Sequence, residues 1–258
     1  MSPTTDLTAR ETEIIRILRV LSQATNGFVL IGGYAVNAYS QHRFSVDCDL
    51  ATDKDNIPII DATLREDGYT LRKSPARPSQ GVIMKDYRKL VGGEPASVEL
   101  FVNTVVSRTT RGTWTYKFIR ENSTETMVVG VTDSTPSRVV ERNLLVAMKL
   151  HAGRTQDFGD VVILSEGVDW KDVARCAACG LKEKLVGQIE SAIREISSPK
   201  FVSDLKSTFA MRGDSTSLIK QANIGLRSLR TLVAKGKIRR FPVKPHLTGL
   251  AGRRERER

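Results

Sequence analysis

The sequence predicts an α+β protein in which a mixed sheet with helices is followed by an α-helical region. Short runs of branched apolar residues in the first half predict strands, and apolar residues at helical spacing predict helices between them. Beyond Ser134, where "STPS" is typical of a helix start, the periodicity is helical. We therefore predict a first domain over residues 1–135, a helical domain over 136–240 and a basic, mobile tail over 241–258.

The elements of the first domain follow one another closely. Residues 8–24 predict an amphipathic helix that begins with a capping box. "GFVLI" predicts a strand ending at Gly32, "YAVNAYSQ" a short helix, and "SVDCDLAT" the next strand. Residues 57–66 predict a helix and residues 98–106 a strong strand. Residues 107–134 alternate polar and apolar positions, as strands near a sheet edge do.

Composition excludes several classes of protein. The chain has 258 residues, 40% of them hydrophobic, which is enough for a packed core. Without a long apolar run or a basic-then-apolar N-terminus, we expect neither membrane insertion nor secretion. Three cysteines make no disulfide framework, and Cys176-x-x-Cys179 lacks the partners of a zinc site. Buried thiols in a reducing cytoplasm are the expectation.

The positive charge is concentrated near the end of the chain. The net charge is +11, and residues 212–258 hold thirteen Lys and Arg against three acids. Such a block favours a polyanion such as RNA, although it could also be only a solubilising tail. The candidate RNA-binding residues are Arg227, Arg230, Lys235, Lys237, Arg239 and Arg240.

Two aspartates follow a glycine pair in "VLIGGYAVNAYSQHRFSVDCDLATD", residues 29–53. On a strand, Asp47 and Asp49 project to the same face. Paired carboxylates repel each other unless they share a proton or hold a cation, and hard divalent ions such as Mg²⁺ favour their oxygens. Glu99, the one acid amid the apolar "SVELFV", is the candidate third ligand. With three acids the site could hold two metals for in-line phosphoryl transfer.

The glycine pair separates this motif from a chance Asp-x-Asp. Asp53-x-Asp55 is an internal control, because it lies in a polar turn without apolar alternation and is interpreted as having no function. Gly32 and Gly33, at a strand-to-helix turn, could let backbone N–H groups approach a triphosphate while the acids hold its metals.

"IGGYAVNAYSQHRFSVDCDL" followed by "VELFV" resembles the signature of the nucleotidyltransferase superfamily of the DNA polymerase β type. The AbiEii-like group, with the toxins of type IV toxin–antitoxin systems and the MenT enzymes, is similar in a second place as well. That place is "MKLHAGRTQDFGDVV". The resemblance implies a polymerase β-type first domain, an NTP substrate and Mg²⁺ or Mn²⁺ as cofactor. Glu99 departs from the family, since many relatives have Asp there.

The second motif implies further site residues. Lys149, on a helix whose apolar residues face a core, could extend its ammonium to phosphates in a cleft. Arg154 could clamp phosphate oxygens in a bidentate manner, and Asp157 could orient either cation. The alternative is an ordinary surface salt-bridge cluster. Arg43 and Ser45, just before the acids, are weaker candidates for phosphate contact.

The leading functional hypothesis is metal-dependent transfer of NMP from an NTP to RNA. The tRNA 3′ end is a candidate acceptor, and the resemblance implies a growth-inhibiting toxin with a cognate antitoxin. A second hypothesis is transfer to a small molecule such as an aminoglycoside, a polycation that the basic tail would repel. A third is a non-catalytic nucleic-acid-binding module, against which the clustered acids Asp47, Asp49 and Glu99 argue.

Overall fold

The computed structural model describes residues 3–40, 42–45, 47–72, 83–209 and 215–236. The helices are α1 Pro3–Ala24, α2 Gly32–Val36, α3 Ile57–Glu66, α4 Tyr116–Glu121, α5 Arg142–Ala152, α6 Thr155–Leu164, α7 Trp170–Cys176, α8 Lys182–Glu195, α9 Pro199–Thr208 and α10 Thr216–Lys235. The strands are β1 Phe28–Ile31, β2 Asp47–Thr52, β3 Thr70–Leu71, β4 Ile83–Val91, β5 Glu94–Val102, β6 Thr104–Val106, β7 Thr113–Thr115, β8 Ser123–Val129 and β9 Ser134–Val140.

Seven strands form one mixed sheet in the order β3-β4-β5-β2-β1-β9-β8, and β6 and β7 form a separate pair. β2 pairs parallel with β5, and β1 pairs parallel with β9, whereas the other pairs in the sheet are antiparallel. A mixed sheet followed by helices confirms the predicted α+β class. The parallel pairing of β2 with β5 matters most, because it places the two acid-bearing strands side by side.

Helices α1 and α3 cover one face of the sheet. Glu13 of α1 binds Lys89 of β4 at 3.0 Å, and Asp61 of α3 accepts a hydrogen bond from Tyr87 of β4 at 2.6 Å. The apolar side chains of β2 and β5 on this face, such as Leu50 and Leu100, are fully buried. Burying one face against helices leaves the opposite face for polar side chains.

The helical region packs onto the sheet domain and onto itself. α5 contacts α2 as well as α6, α7 and α8, and α10 contacts α7 and α8. α10 buries Leu226, Leu229 and Val233 along one side. The described part of the basic C-terminal segment is therefore a core helix with one exposed side.

Several predicted elements are confirmed, and others are wrong in informative ways. The helix predicted over residues 57–66 is α3, and "GFVLI" contains β1. The helix start predicted at Ser134 is wrong, because residues 134–140 form β9, which pairs with β8 along its whole length. Cross-strand pairing and β-branched residues here outweigh a local Ser-Thr-Pro signal. The boundary predicted near residue 135 thus falls inside the sheet, and α5 begins at Arg142.

Two further differences concern strands. The strand predicted over residues 98–106 is divided between β5 and β6 at Asn103, whose φ is 63°. Asparagine tolerates this left-handed conformation better than most residues, so the chain can turn there. β4 is not among the predicted elements, because "IMKDYRKLV" carries four charges and shows no clear apolar face.

The cysteines are buried free thiols, as the composition predicts. Cys48, Cys176 and Cys179 are free thiols and buried, although Cys179 lies just beyond the end of α7 rather than in a helix. Within the described ranges, no helix combines the length and apolar character that crossing a membrane requires.

We expect two Gly-to-Ala substitutions in the helical region to have opposite signs. A Cβ at Gly225 of α10 would lie 2.0 Å from Cε2 of Trp170, so Gly225→Ala should destabilise the fold by about 1–3 kcal/mol through overpacking. A Cβ at Gly187 of α8 would meet nothing within 4 Å, so Gly187→Ala should stabilise it by about 0.5–1 kcal/mol. Denaturant unfolding of both variants checks this. A neutral Gly225→Ala would show that α10 does not pack tightly against Trp170.

Candidate active site

The three predicted acids lie on one face of the sheet. In the parallel register, Asp49 of β2 is directly opposite Glu99 of β5, and Asp47 is opposite Ser97. Residues opposite each other in a ladder project to the same side, and neighbouring strands lie about 4.8 Å apart. The apolar residues between them, Cys48 and Val98, face the covered side and are fully buried. Strand pairing alone therefore brings carboxylates from positions fifty residues apart together.

The bonding of these three carboxylates distinguishes them from the other acids of this region. Among the described residues, no side-chain hydrogen bond or ion pair reaches the carboxylate of Asp47, Asp49 or Glu99. The more deeply buried acids differ: Asp86, Asp157 and Asp160 each bind at least one cationic side chain. A half-buried carboxylate without a partner is costly, so the three-acid face is the place where an added cation would be most stabilising.

The pKa values report the same repulsion. Burial and the neighbouring Glu99 raise the pKa of Asp49 from 3.8 to about 7, although Lys149 and Arg154 act against the shift. Burial, Asp47 and Asp86 raise the pKa of Glu99. A cation bound at these carboxylates would stabilise their ionised form and lower both pKa values.

The donor chemistry fits a divalent cation, but the ligands do not form a closed cage. In the part of the chain that the structure describes, no three His, Cys, Asp or Glu side chains form a preassembled metal-binding group. An open pair of carboxylates is the usual arrangement for Mg²⁺, which completes its coordination with water and substrate phosphates. Asp49 and Glu99, in register, are the residues that would hold such an ion, with Asp47 beside them.

Gly32 has to be glycine because of both its backbone and its neighbour. Its φ is +70°, and a Cβ there would lie 1.9 Å from Oδ2 of Asp49. A Cβ at Gly33 would lie 2.2 Å from Oγ of Ser45. The glycine pair thus lets the start of α2 approach the acid-bearing strand, and Ser45 covers Gly33 at the same place.

A cavity of about 170 Å³ joins the two motifs. Its polar lining consists of residues from both halves of the chain: Gly32, Asp49, Ser107, Lys149, Arg154 and Asp157. An apolar wall including Phe101 and Trp114 completes it. An aspartate at one end and two cations at another suit a ligand that carries both a metal and phosphate groups.

The cations of the second motif are held by a buried network of ion pairs. Lys149 lies 3.2 Å from Asp157 and 2.7 Å from Asp160, and is only 5% exposed. Asp157 also accepts from Nε of Arg154 at 2.7 Å and from its backbone N–H at 3.1 Å. The alternative of a surface salt-bridge cluster therefore does not describe this motif. Asp157 contacts both cations, as an orienting residue would.

Arg154 and Lys149 differ in exposure. The Arg154 side chain is 74% exposed, and Asp157 uses only one edge of its guanidinium. Lys149 is buried, and so are its ion-pair partners Asp157 and Asp160. Arg154 is thus the cation freer to bind an incoming phosphate, whereas Lys149 mainly contributes its charge from beneath.

Arg43 has a structural partner that sequence reasoning missed. Its guanidinium binds Asp160 through Nε at 2.6 Å and Nη2 at 2.8 Å, and its side chain is 3% exposed. A Cβ at Gly33 would also lie 3.2 Å from Nη2 of Arg43, so Arg43 and Ser45 both lie at the glycine turn, and their phosphate contacts stay predictions. In the sequence, Asp160 is distinguished only by its place in "MKLHAGRTQDFGDVV", three residues after Asp157. No local sequence pattern predicts that Asp160 pairs with Arg43, which lies in a loop 117 residues earlier.

The candidate RNA-binding residues are only partly within the described residues. Arg227, Arg230 and Lys235 lie on the exposed side of α10, where Arg230 binds Glu190 of α8 at 2.7 Å. Lys237, Arg239 and Arg240 lie outside the described residues. None of the residues lining the cavity comes from α10.

We expect Asp49→Asn to separate metal binding from folding. With its pKa raised from 3.8 to about 7, Asp49 binds a proton on folding, so metal-free wild-type protein should lose stability as pH rises through that range. Asp49→Asn removes this loss. Mg²⁺ at a hundredfold excess over its Kd should stabilise the wild type by about 2.7 kcal/mol and the variant much less.

Thermal unfolding with and without Mg²⁺ at pH 5 and pH 8 measures both effects. Asp55→Asn is the matched control, because Asp55 is the exposed aspartate of the Asp53-x-Asp55 pair. Equal Mg²⁺ stabilisation of Asp49→Asn and the wild type would contradict the assignment of Asp49 as a ligand.

Comparison with known proteins agrees with this geometry. Residues 13–117 match the model of a family described as aminoglycoside-2''-adenylyltransferase, and this segment contains the glycine pair and all three acids. No curated protein matches the chain.

The chain is also similar to solved structures. These include a putative nucleotidyltransferase from H. pylori, with 14% identity, a TM-score of 0.48, and coverage of 91% of this chain and 98% of that chain. JHP933 from Helicobacter pylori has 14% identity and a TM-score of 0.48, over 91% and 95%. The lincomycin-bound lincosamide antibiotic adenylyltransferase LnuA has 16% identity and a TM-score of 0.34, over 55% and 85%.

Enzymes of the matched kind use an NTP and a divalent cation. The matched segment contains the glycine pair and the acids that would bind the NTP and the cation. The cations of the second motif, Lys149 and Arg154, lie outside this segment but line the same cavity. The chain is an enzyme of the nucleotidyltransferase class.

Proposed function

We propose that the protein transfers NMP from an NTP to a hydroxyl group of RNA. One observation carries the nucleotidyl transfer: Asp49 and Glu99 lie in register, no described cation pairs with either carboxylate, and Asp49 lines a cavity together with Arg154 and Lys149. Unpaired carboxylates can bind a divalent cation, and the edge of Arg154 that Asp157 leaves free can bind phosphate oxygens, so together they are complementary to a metal–triphosphate complex.

The residues take complementary roles in this proposal. Asp47, Asp49 and Glu99 would hold the divalent cation, which would neutralise phosphate charge and lower the pKa of the attacking hydroxyl. Gly32 and Gly33 would let the turn approach the triphosphate, with Ser45 beside them. Arg154 would bind phosphate oxygens directly, and Asp157 would orient it.

The chemistry is a single displacement at phosphorus. The acceptor oxygen forms a bond to the α-phosphorus, and the bond from that phosphorus to the bridging oxygen breaks. Pyrophosphate leaves with the electron pair of that bond. Glu99, whose pKa is raised by burial and by its acidic neighbours, is our candidate to accept the hydroxyl proton.

RNA is our preferred acceptor because of the charge at the end of the chain. Residues 237–258 hold eight Lys and Arg against two acids, directly after α10 with its exposed Arg227 and Lys235. Basic segments of this kind bind phosphate backbones through charge rather than sequence. A tRNA 3′ end, a toxin role and a cognate antitoxin remain predictions that follow from the sequence resemblance.

A small-molecule acceptor is the second candidate, and the family match favours it. The matching family acts on aminoglycosides by its description, so a hydroxyl of such an antibiotic could take the NMP. Aminoglycosides are polycations, and this chain carries a net charge of +11. Long-range repulsion would slow their binding.

We expect labelled NMP to appear on RNA when the full-length protein is incubated with Mg²⁺, each labelled NTP in turn and total RNA. Parallel reactions would replace RNA with a panel of aminoglycosides. Asp49→Asn should abolish transfer, and Asp55→Asn should retain it. Label on an aminoglycoside but not on RNA would establish the second candidate. Label on neither acceptor would overturn the proposal.

We expect deletion of residues 237–258 to weaken RNA binding selectively. The deletion starts after Gly236 because α10 is part of the core. Each lost phosphate contact should flatten the log–log salt dependence of RNA affinity by roughly 0.7–0.9 and raise the KM for RNA. The KM for NTP should not change. Equal RNA affinity of the truncated and complete proteins at all salt concentrations would leave the tail a solubilising segment.

A further inference from the structure

Two rows of polar residues continue from the acids across the sheet to β3 and β4. Asp49 is opposite Glu99, Glu99 is opposite Asp86 of β4, and the backbone N–H of Arg72 donates to the carbonyl of Asp86 at 2.8 Å. In the second row, Asp47 is opposite Ser97, Ser97 is opposite Arg88, and Arg88 is opposite Thr70. The register thus places Asp86 and Arg88 on the face that carries the three acids.

Two arginines share one carboxylate at this end of the rows. Asp86 is bound by Arg88 at 2.9 Å and lies 3.8 Å from Arg72. The Asp86 side chain is 7% exposed, while those of Arg88 and Arg72 are 38% and 56% exposed. The group therefore carries a net charge of +1, and it presents guanidinium N–H donors to solvent.

The cavity lies on the other side of the acids. Ile31, Gly32 and Asp49 line it from β1, α2 and β2, and residues of α5, α6, β6 and β7 and Phe101 of β5 complete it. Among its described lining residues, none belongs to β3 or β4. In an in-line displacement, the attacking and leaving oxygens lie on opposite sides of the phosphorus. If pyrophosphate leaves toward Arg154, the acceptor hydroxyl has to approach from the side of β4.

From this geometry we infer that Arg88 and Arg72 form the acceptor subsite of the enzyme and bind a backbone phosphate of RNA next to its reacting hydroxyl. The inference rests on the proposed function and names its acceptor-side residues. With strands about 4.8 Å apart, Arg88 lies two strands from Asp47, which suits a phosphate one nucleotide away from the hydroxyl. Asp86 orients the two guanidinium groups and is a positioning residue.

The charge of this subsite also selects among acceptors. When a divalent cation offsets most of the charge of Asp47, Asp49 and Glu99 on the same face, the two arginines outnumber Asp86, so an RNA phosphate would be attracted and an aminoglycoside repelled. Asp86 occupies the edge of the Arg88 guanidinium formed by Nε and Nη2. Two phosphate oxygens can therefore bind only at the other edge. A lysine there would keep the charge and lose the fixed direction of the donors.

The test uses the full-length protein and three arginine variants. Arg72→Ala leaves Asp86 paired with Arg88, so the fold should be retained. Arg88→Lys keeps the charge beside Asp86. Arg65→Ala is the matched control: Arg65 is also an exposed arginine paired with an aspartate, Asp61, but it lies on α3, across the sheet. Thermal unfolding of each variant confirms that it is folded.

We expect Arg72→Ala and Arg88→Lys to raise the KM for RNA roughly tenfold, the effect of one lost charged hydrogen bond. The salt dependence of RNA affinity should flatten by about one contact in Arg72→Ala, and the KM for NTP should not change in either variant. Arg65→Ala should match the wild type. The effect of Arg88→Lys, which keeps the charge, tests for a directional contact rather than a general attraction.

The outcomes separate this inference from the proposed function. If the wild type labels RNA and both variants match Arg65→Ala, the acceptor subsite is wrong and the nucleotidyl transfer stands. Equal increases in the KM for NTP and for RNA would also overturn it, because the arginines would then act through the common site. If the wild type labels no RNA, the proposed function fails, and the subsite fails with it.

Discussion

Asp49 and Glu99 stand opposite each other on neighbouring parallel strands, and their repulsion is the constraint around which the site is arranged. Nothing in the described chain neutralises them directly, so the folded state retains a strained electrostatic arrangement. The strands can bear this because their other face is strongly apolar. Leu50, Val98 and Leu100 are fully buried there, and each buried side chain of this kind contributes about 1.5–3 kcal/mol.

The chain treats its other buried charges in the opposite way. Asp160 binds both Arg43 and Lys149, and Asp157 binds both Lys149 and Arg154. Buried charges are tolerated when they are paired and hydrogen-bonded, because the pairing offsets the desolvation cost. Within the described residues, the contrast between this paired network and three unpaired acids supports the proposal that an ion and a substrate complete the site.

The network also connects parts of the site that are distant in sequence. Asp160 of α6 binds Arg43 and thereby holds the loop that leads into β2. It also binds Lys149, whose ammonium lies beneath the cavity. Ser45 in the same loop lies over Gly33. The helical half therefore contributes more than Arg154, the arginine proposed to bind phosphate, since Asp160 also holds the loop against the glycine turn.

The sequence by itself determined the α+β class, the carboxylate motif and the second basic motif, because each depends on local spacing. Alternation placed Asp47 and Asp49 on one face, and the apolar surroundings of Glu99 marked it as unusual. Local signals could not reveal that Ser134 begins a strand, that the charged β4 belongs to the sheet, or that Arg43 pairs with Asp160. Only the tertiary structure decided those points, because strand register and buried ion pairs join residues that are tens or more than a hundred positions apart.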